Sequence, residues 1–287
     1  MNIALVGSTG YIASFLLKRF MKEASVSQIL KIDQNETADV FLDLCHADKF
    51  DYTKLNNIDF VVFTAAVSGP DKCAADFDVC WKINVEGTIS FIHKALDKGC
   101  RVLFFSSDAV FGNIPGHIYT EESETKATTP YGRMKKAVED EFRGNPYFKA
   151  IRLSYVISAN DRFIKYCLCC VQKNERVDVF HPFYRNCIGV SDVVDVVMWF
   201  VEHFDEYKPD VLNVAGKEFV SRVRIVDELN RILDKELEYT VSTPKSDFFE
   251  NRPKMTQMKS NFLQKYRILE DISFTEKFQK EIKEINI

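Results

Sequence analysis

Tyr131 and Lys135 stand four residues apart in TPYGRMKKAVEDEF, and the chain opens on MNIALVGSTGYIA. On a helix, residues i and i+4 share a face, so the phenol and the ammonium project into one space. An ammonium beside a phenol favours the phenolate, which predicts a tyrosine pKa drawn down from about 10 toward working pH. A glycine turn between a first strand and a first helix takes a dinucleotide pyrophosphate, because the backbone comes close and the helix N-terminus is electropositive. In GSTGYIA, Gly7 permits the tight turn, Gly10 permits close approach, and Ala13 is small enough for the third position. Thr9, Tyr11 and Ile12 lie in the same turn and are cofactor-contact candidates. Asp33 falls about 20 residues further on, where a carboxylate receives the adenosine ribose hydroxyls. It would repel a 2′-phosphate, which favours NAD over NADP, with Lys31 as the opposing charge. Ser106-Ser107-Asp108 closes the run RVLFF, a strand end where a hydroxyl can meet a substrate carbonyl. The set predicts a nicotinamide enzyme with tyrosine as proton donor or acceptor.

These residues need rigid elements behind them. Asn2–Val6 reads as a short strand, followed by a helix over 10–24 with Ile12, Phe15, Leu16 and Phe20 on one stripe. A strand over 28–33 follows. The continuous apolar run 59–65 suits a strand buried on both faces. A helix over 84–98 closes at Gly99, a strand covers Arg101–Ser107, a helix over 131–143 ends at Gly144, and a strand covers 147–153. This alternation predicts an α/β fold, a Rossmann-like doubly wound parallel sheet. Later segments are less regular: a helix over 162–172, a short strand over 176–180, a helix over 191–204 with Ser191 as N-cap, a sheet strand over 210–214 and a β-like stretch over 237–241. They predict a smaller C-terminal substrate-binding lobe. The division expected is 1–158 plus 187–216 for the dinucleotide-binding domain and 159–186 plus 217–287 for the lobe, with no linker between them.

The 287 residues suffice for a large core, and 46% hydrophobic with 28% charged is an ordinary globular composition. A net charge of -4 and a pI near 5.8 argue against a nucleic-acid partner. No apolar run reaches the roughly 20 residues a bilayer requires, and the N-terminus lacks a basic leader, so a cytoplasmic protein with no membrane partner is expected. The eight cysteines are then expected as free thiols, many of them buried.

With these motifs in place, the chain resembles extended short-chain dehydrogenases/reductases of the NAD-dependent epimerase/dehydratase group. The resemblance is carried by GSTGYIA (7–13), Asp33, Asp43-Leu44, TAA (64–66), NVEGT (84–88), SSDAVFG (106–112), YGRMK (131–135), AIRLSYV (150–156), VSDVVDVV (190–197) and NVAGKE (213–218). The chain length and the SSDAVF run are most similar to dTDP-4-dehydrorhamnose reductases and related nucleotide-sugar 4-ketoreductases. RPKMTQMKSNFL (252–263) resembles their late segment, with Met258-Lys259-Ser260-Asn261 in place of Leu-Asp-x-Ser. The resemblance implies that Ser107 is the catalytic hydroxyl, Tyr131 the general acid/base, and Lys135 the partner of the nicotinamide ribose. It implies Asp43 and Leu44 near adenine, Ala65 and Ala66 along the pyrophosphate–ribose path, Asn84 near the cofactor, and Tyr155 and Val156 near the nicotinamide. Asp108 and Arg252 are expected to meet the nucleotide-sugar substrate. Relatives commonly pair through helices matching 84–98 and 131–143, which implies a homodimer.

The activity expected is NAD(P)-dependent reduction of a 4-keto group on a nucleotide-activated deoxy sugar. An NAD-dependent epimerase is the alternative on the same scaffold. A dehydratase would need Asp-Glu after the catalytic hydroxyl, and Asp108-Ala109 stands there instead. A non-catalytic dinucleotide-sensing regulator would usually lack Tyr131 or Lys135. Cys167, Cys170, His181 and Cys187 mimic a zinc spacing, but YCLCCV reads as helical core and no metal is expected. Asp192 and Asp195 read as helix-capping and surface charge. Arg185 and Arg222 are further cations of the lobe, where guanidinium groups could match phosphate oxygens.

Overall fold

The computed structural model describes residues 1–233 and 236–283; residues 234, 235 and 284–287, all assigned above to the lobe, lie outside it. In chain order the strands of the first half are β1 (Asn2–Val6), β2 (Gln28–Asp33), β3 (Val40–Phe41), β4 (Phe60–Phe63), β5 (Arg101–Ser107), β6 (Ile118–Tyr119) and β7 (Phe148–Leu153). There follow β8 (Val156–Ile157), β9 (Val177–Phe180), β10 (Tyr184–Arg185), β11 (Ile188–Gly189), β12 (Val211–Val214), β13 (Val220–Ser221), β14 (Tyr239–Ser242) and β15 (Met255–Met258). The helices are α1 (Tyr11–Phe20), α2 (Pro70–Ala75), α3 (Phe77–Trp81), α4 (Thr88–Asp97), α5 (Pro130–Glu141), α6 (Arg162–Lys173), α7 (Val190–His203), α8 (Arg222–Asn230) and α9 (Phe274–Ile282).

Seven strands form one parallel sheet in the order β12-β7-β5-β4-β1-β2-β3. The doubly wound α/β fold expected from the alternation is therefore present. Chain direction across the sheet reverses between β1 and β4, and ligands of such sheets bind outside the strand C-termini at that point. Alternate residues feed the two faces. Ile3, Leu5, Leu103, Phe105 and Ile151 join α1 and α7 in one core. Ala4, Val6, Phe63, Phe104 and Ala150 join Phe91 and Ile92 of α4 and Val138 of α5 in the other. β4 and β7 are buried along their whole length; β4 is apolar throughout, whereas β7 carries Lys149 and Arg152 inside.

A smaller sheet runs β13-β10-β15-β6, and β9 pairs with β14. β6 comes from within the segment 1–158 yet pairs with β15 of the lobe. Glu121, close behind β6, adds a second tie: its carboxylate accepts from Asn213 N, Ser260 Oγ and Asn261 N. The lobe core gathers Phe163, Val177, Val179, Ile225, Leu229 and Phe278. Cys167, Cys170 and Cys187 pack in that same core, and all eight cysteines are free thiols.

Two local expectations are corrected. Ser191 does not cap α7: the N-cap is Gly189, whose amide donates to Asp192 Oδ2 at 3.3 Å. Ser191 instead lies inside the first turn and donates through N and Oγ to Glu281 of α9. The helix expected from residue 84 begins earlier, as one π-helical stretch over Lys82–Gly87 leading into α4. Gly87 is required there, since a Cβ on it would lie 1.8 Å from the Leu44 carbonyl oxygen. Among the described residues no helix is long and apolar enough to cross a membrane.

Candidate active site

Four strand ends converge on a cleft of about 770 Å³ between the large sheet and the lobe. The turn after β1 supplies Gly10, Tyr11 and Ile12, the loop after β4 supplies Ala66, and β5 supplies Ser107 and Asp108. α5 supplies Tyr131 and Lys135, the stretch after β7 supplies Tyr155 and Val156, and the lobe supplies Arg185 and Arg252. Residues up to 242 positions apart in sequence, Gly10 and Arg252, thus face one space.

The glycine turn has the backbone its role requires. Gly7 has φ +83°, and a Cβ there would sit 2.6 Å from Ala65 N. Only glycine lets the turns after β1 and β4 close on each other. α1 starts after Gly10 with no side-chain cap, so its first amides are left for a ligand. Asp33 sits at the end of β2, and its Oδ2 accepts from Thr9 N and Oγ1, both at 2.9 Å. Lys31 points away to Asp39 (3.2 Å) and the Thr37 carbonyl. It therefore leaves the Asp33 charge uncompensated.

Gly7, Thr9, Asp33, Asp43, Leu44, Ala65 and Asn84 are not among the residues that line the cleft. Asp43 caps a short helical turn, accepting from Cys45 N at 2.9 Å and meeting His46 Nδ1 at 2.8 Å. Leu44 is buried in the core under α4. Asn84 is 2% exposed and grips the loop after β4, accepting from Val67 N at 2.8 Å and donating to Val67 O at 2.9 Å. In this structure Asn84 shapes the wall that carries Ala66 rather than facing the cleft itself.

α5 is set against the catalytic loop by its first turn. Thr129 is the N-cap, and its Oγ1 accepts from Gly132 N at 3.2 Å; Pro130 fills the first helical position. A Cβ on Gly132 would lie 2.0 Å from the Ala109 carbonyl oxygen, so a glycine is needed where helix and loop touch. Ser107 Oγ donates to Asp108 Oδ1 at 3.1 Å and accepts from Ala109 N at 3.2 Å. Lys135 is 2% exposed; its Nζ lies 4.5 Å from the Phe104 ring centre and 5.7 Å from that of Tyr131. Among the described residues no hydrogen-bond acceptor is recorded for this ammonium. A buried ammonium with three free donors suits a ribose diol, and with the uncapped amides of α1 and the glycine cradle the residues present fit a nicotinamide dinucleotide.

The expectation of a lowered tyrosine pKa is overturned. Burial pushes the Tyr131 phenol well above its ordinary value, and nearby Cys73 and Asp108 add to the shift. Burial also pulls Lys135 down to about 7 against the pull of Glu139 and Cys73, so the lysine cannot act as a strong fixed cation. An unfolded lysine titrates near 10.4. Between about 7 and about 10 the unfolded chain holds more protons at this group, so its contribution to stability rises with pH across that window. Relative to wild type, Lys135→Met is expected to be most stabilised below neutrality and to lose that advantage toward pH 10. Urea unfolding at about pH 6.5 and about pH 9.5 checks this, and a pH-independent difference would refute it.

Behind the cleft lies a network that inspection of motifs alone passes over. Arg152 of β7 and Glu139 of α5 form a pair at 2.7 Å with side chains 6% and 4% exposed. Arg152 Nε donates to Glu139 at 3.0 Å, and Ser106 Oγ donates to the same carboxylate. The signal was available: Arg152 stands in a strand that is buried along its length, and a buried charge demands a partner. Glu139 lies one helical turn beyond Lys135 on the same face. His181, Cys167, Cys170 and Cys187 form no metal-binding group among the described residues. Arg252 donates to the Phe248 carbonyl at 2.6 Å and pairs with Asp71, both at the cleft rim.

The sheet order, the switch-point crevice and the glycine turn are those of a dinucleotide-binding α/β protein. The model of the NAD dependent epimerase/dehydratase family matches residues 3–215, and the chain belongs to that family. UDP-glucose 4-epimerase 2 of Arabidopsis thaliana is 38% identical over 77 residues, which is 25% of this chain and 22% of that protein. The match therefore spans about a fifth of that relative's length. MoeE5 in complex with UDP-glucose and NAD superposes with a TM-score of 0.81 at 20% identity, covering 98% of this chain and 97% of that one. A dTDP-4-dehydrorhamnose reductase from Clostridium acetobutylicum gives 0.81 at 20% identity, covering 98% of each. At such identities the superpositions establish a shared fold.

Proposed function

We propose that this protein reduces the 4-keto group of a nucleotide-activated deoxy sugar with NADH. One observation carries the reading: Tyr131, Ser107 and Lys135 face one dinucleotide-type cleft at the C-terminal ends of the parallel strands. A reduction consumes a proton at the oxygen of the former carbonyl, and a phenol, protonated at neutral pH, has one to give. A bound reduced nicotinamide would supply hydride to the keto carbon. Tyr131 gives its proton to the developing alkoxide, and the Ser107 hydroxyl hydrogen-bonds the same oxygen. Lys135 holds the ribose through its free donors, and the Asp33 carboxylate at the end of β2 selects NADH by excluding a 2′-phosphate. Asp108 meets the sugar and Arg252 the phosphates. A second cavity of about 690 Å³ adjoins at Asn251 and Arg252, walled by Phe180, Phe248 and Pro244, which leaves room for a nucleotide base beyond the phosphates. Ala109, in the place where a dehydratase would need a glutamate, supports reduction over dehydration.

The likeness to a UDP-glucose 4-epimerase favours a second reading, transient oxidation and return at the same carbon by retained NAD. Thermal unfolding with a panel of nucleotide sugars, with and without NADH or NADPH, separates the two. A ligand that binds only the native state raises the midpoint with its concentration over its dissociation constant. Reductase activity predicts a shift with NADH and consumption of NADH on adding the matching 4-keto sugar. NAD that copurifies and does not exchange, with no net consumption of NADH, would support the epimerase instead.

A further inference from the structure

The lobe meets the loop after β5 through Met258, packed on Val110 and Phe111, and through one charged side chain. Arg185, on β10, is 7% exposed, and its Nε lies 3.4 Å from Asp108 Oδ2. Its Nη1 donates to the carbonyls of Tyr184 (2.6 Å) and Lys254 (3.1 Å), and its Nη2 donates to that of Pro253. The Phe183 ring centre is 4.7 Å from the guanidinium carbon. Asp108 Oδ2 has no hydrogen-bond partner among the described residues, and Arg185 is the cation against it. The other oxygen, Oδ1, takes the Ser107 proton. A serine hydroxyl has one proton, so it meets a developing alkoxide only by turning that proton away from Asp108, while Ala109 N keeps hold of its oxygen.

Burial drives the Asp108 carboxyl upward, and Arg185 first, then Ser107 and Ala109, oppose that shift. A buried carboxylate deprived of its cation takes up a proton. Asp108 would then compete as a donor toward Ser107 instead of accepting from it. The clamp on the Pro253 and Lys254 carbonyls also fixes the segment that carries Arg252. The loop bearing Ser107 and the lobe segment bearing the candidate phosphate contact are thus joined through one guanidinium.

We propose that Arg185 is a positioning residue: anchored in the lobe, it fixes Asp108, and Asp108 holds the Ser107 hydroxyl in place until the hydroxyl turns its proton from the carboxylate to the reacting oxygen. Arg185 touches no reacting atom. This inference rests on the reductase reading, and the experiment has one arm that does not.

Four variants carry it: R185Q, R185K, D108N and the R185Q/D108N double. In the first arm, without substrate, thermal unfolding is measured for all of them and NADH binding by fluorescence for the folded ones. A working pair predicts that the double variant loses clearly less than the sum of the singles. Simple additivity would overturn the pairing. In the second arm, steady-state kinetics use the 4-keto sugar that wild type turns over. Misplacing a reacting group by about 1 Å can cost ~100-fold, so R185Q is expected to lower kcat by about 10–100-fold with KM within about threefold. R185K, which keeps the charge but loses the fork, should recover part of kcat. A raised KM with kcat unchanged would make Arg185 a phosphate anchor and overturn the proposal. Unchanged kcat and KM in folded R185Q would leave it a structural pair and also overturn it. If R185Q does not fold, R185K and D108N carry the same kinetic split. Wild type that turns over no 4-keto sugar would defeat the functional reading, while the first arm still decides the pairing.

Discussion

Tyr131→Phe is expected to lower turnover by about 10²–10⁴-fold while dinucleotide binding persists, the usual worth of a positioned general acid. The substitution keeps the ring, which packs with Cys73, Val85 and Met134, and removes the hydroxyl alone. Ser107 and Lys135 stay in place, so residual activity above the uncatalysed rate should remain through their hydrogen bonds to oxygen and ribose. The loss belongs in kcat, because the proton moves only as the alkoxide forms. Single-turnover oxidation of NADH, with a thermal-shift titration by NADH as the control, checks both halves. Near-normal turnover with intact binding would remove Tyr131 from the chemistry.

Glu139→Ala is expected to cost about 3–5 kcal/mol of stability, the range found when one member of a buried ion pair is deleted. Arg152 would keep its charge in a site where 6% of its side chain meets solvent, with one nitrogen, Nη1, already lacking a partner. Ser106 would lose its acceptor at the same time. Replacing both partners with apolar residues, Glu139→Leu with Arg152→Met, should recover most of the loss, because no charge is then stranded. Urea unfolding midpoints of the two single variants and the double give the answer. A single-variant loss under about 1 kcal/mol would show that water reaches the pair.

The fold was legible wherever local pattern and tertiary demand agree. β1, β2 and β5 fall on the residues expected for them: β1 and β5 are short and largely buried on both faces, while β2 is mostly half-buried. The lobe was legible only in outline. β6, β10, β13 and β15 are two to four residues long and take their strand character from partners far along the chain, which no local window contains. At the candidate site, spacing identified Tyr131, Lys135, Ser107 and Gly10, and the structure brings all four to one cleft. The charge state of the pair was misread because i, i+4 spacing reports proximity but not desolvation. Lys135 and Tyr131 sit together, yet burial is the largest cause of the shift at both groups. Arg185 was visible as a cation of the lobe, but its partner Asp108 lies 77 positions earlier and is joined to it only by the fold.

The pairing of β6 with β15 bears on how the polypeptide is completed. During synthesis, Ile118 and Tyr119 emerge long before Gln257 and Met258, the residues they pair with. Glu121 likewise waits for Ser260 and Asn261. The large sheet can assemble as its last strand, β12, leaves the ribosome, but the stretch just after the Ser107 loop has no strand partner until Gln257 and Met258 have been added. A nascent chain stopped near residue 216 would hold the glycine turn, with the side of the cleft lined by Asn251, Arg252 and Pro253 still unbuilt.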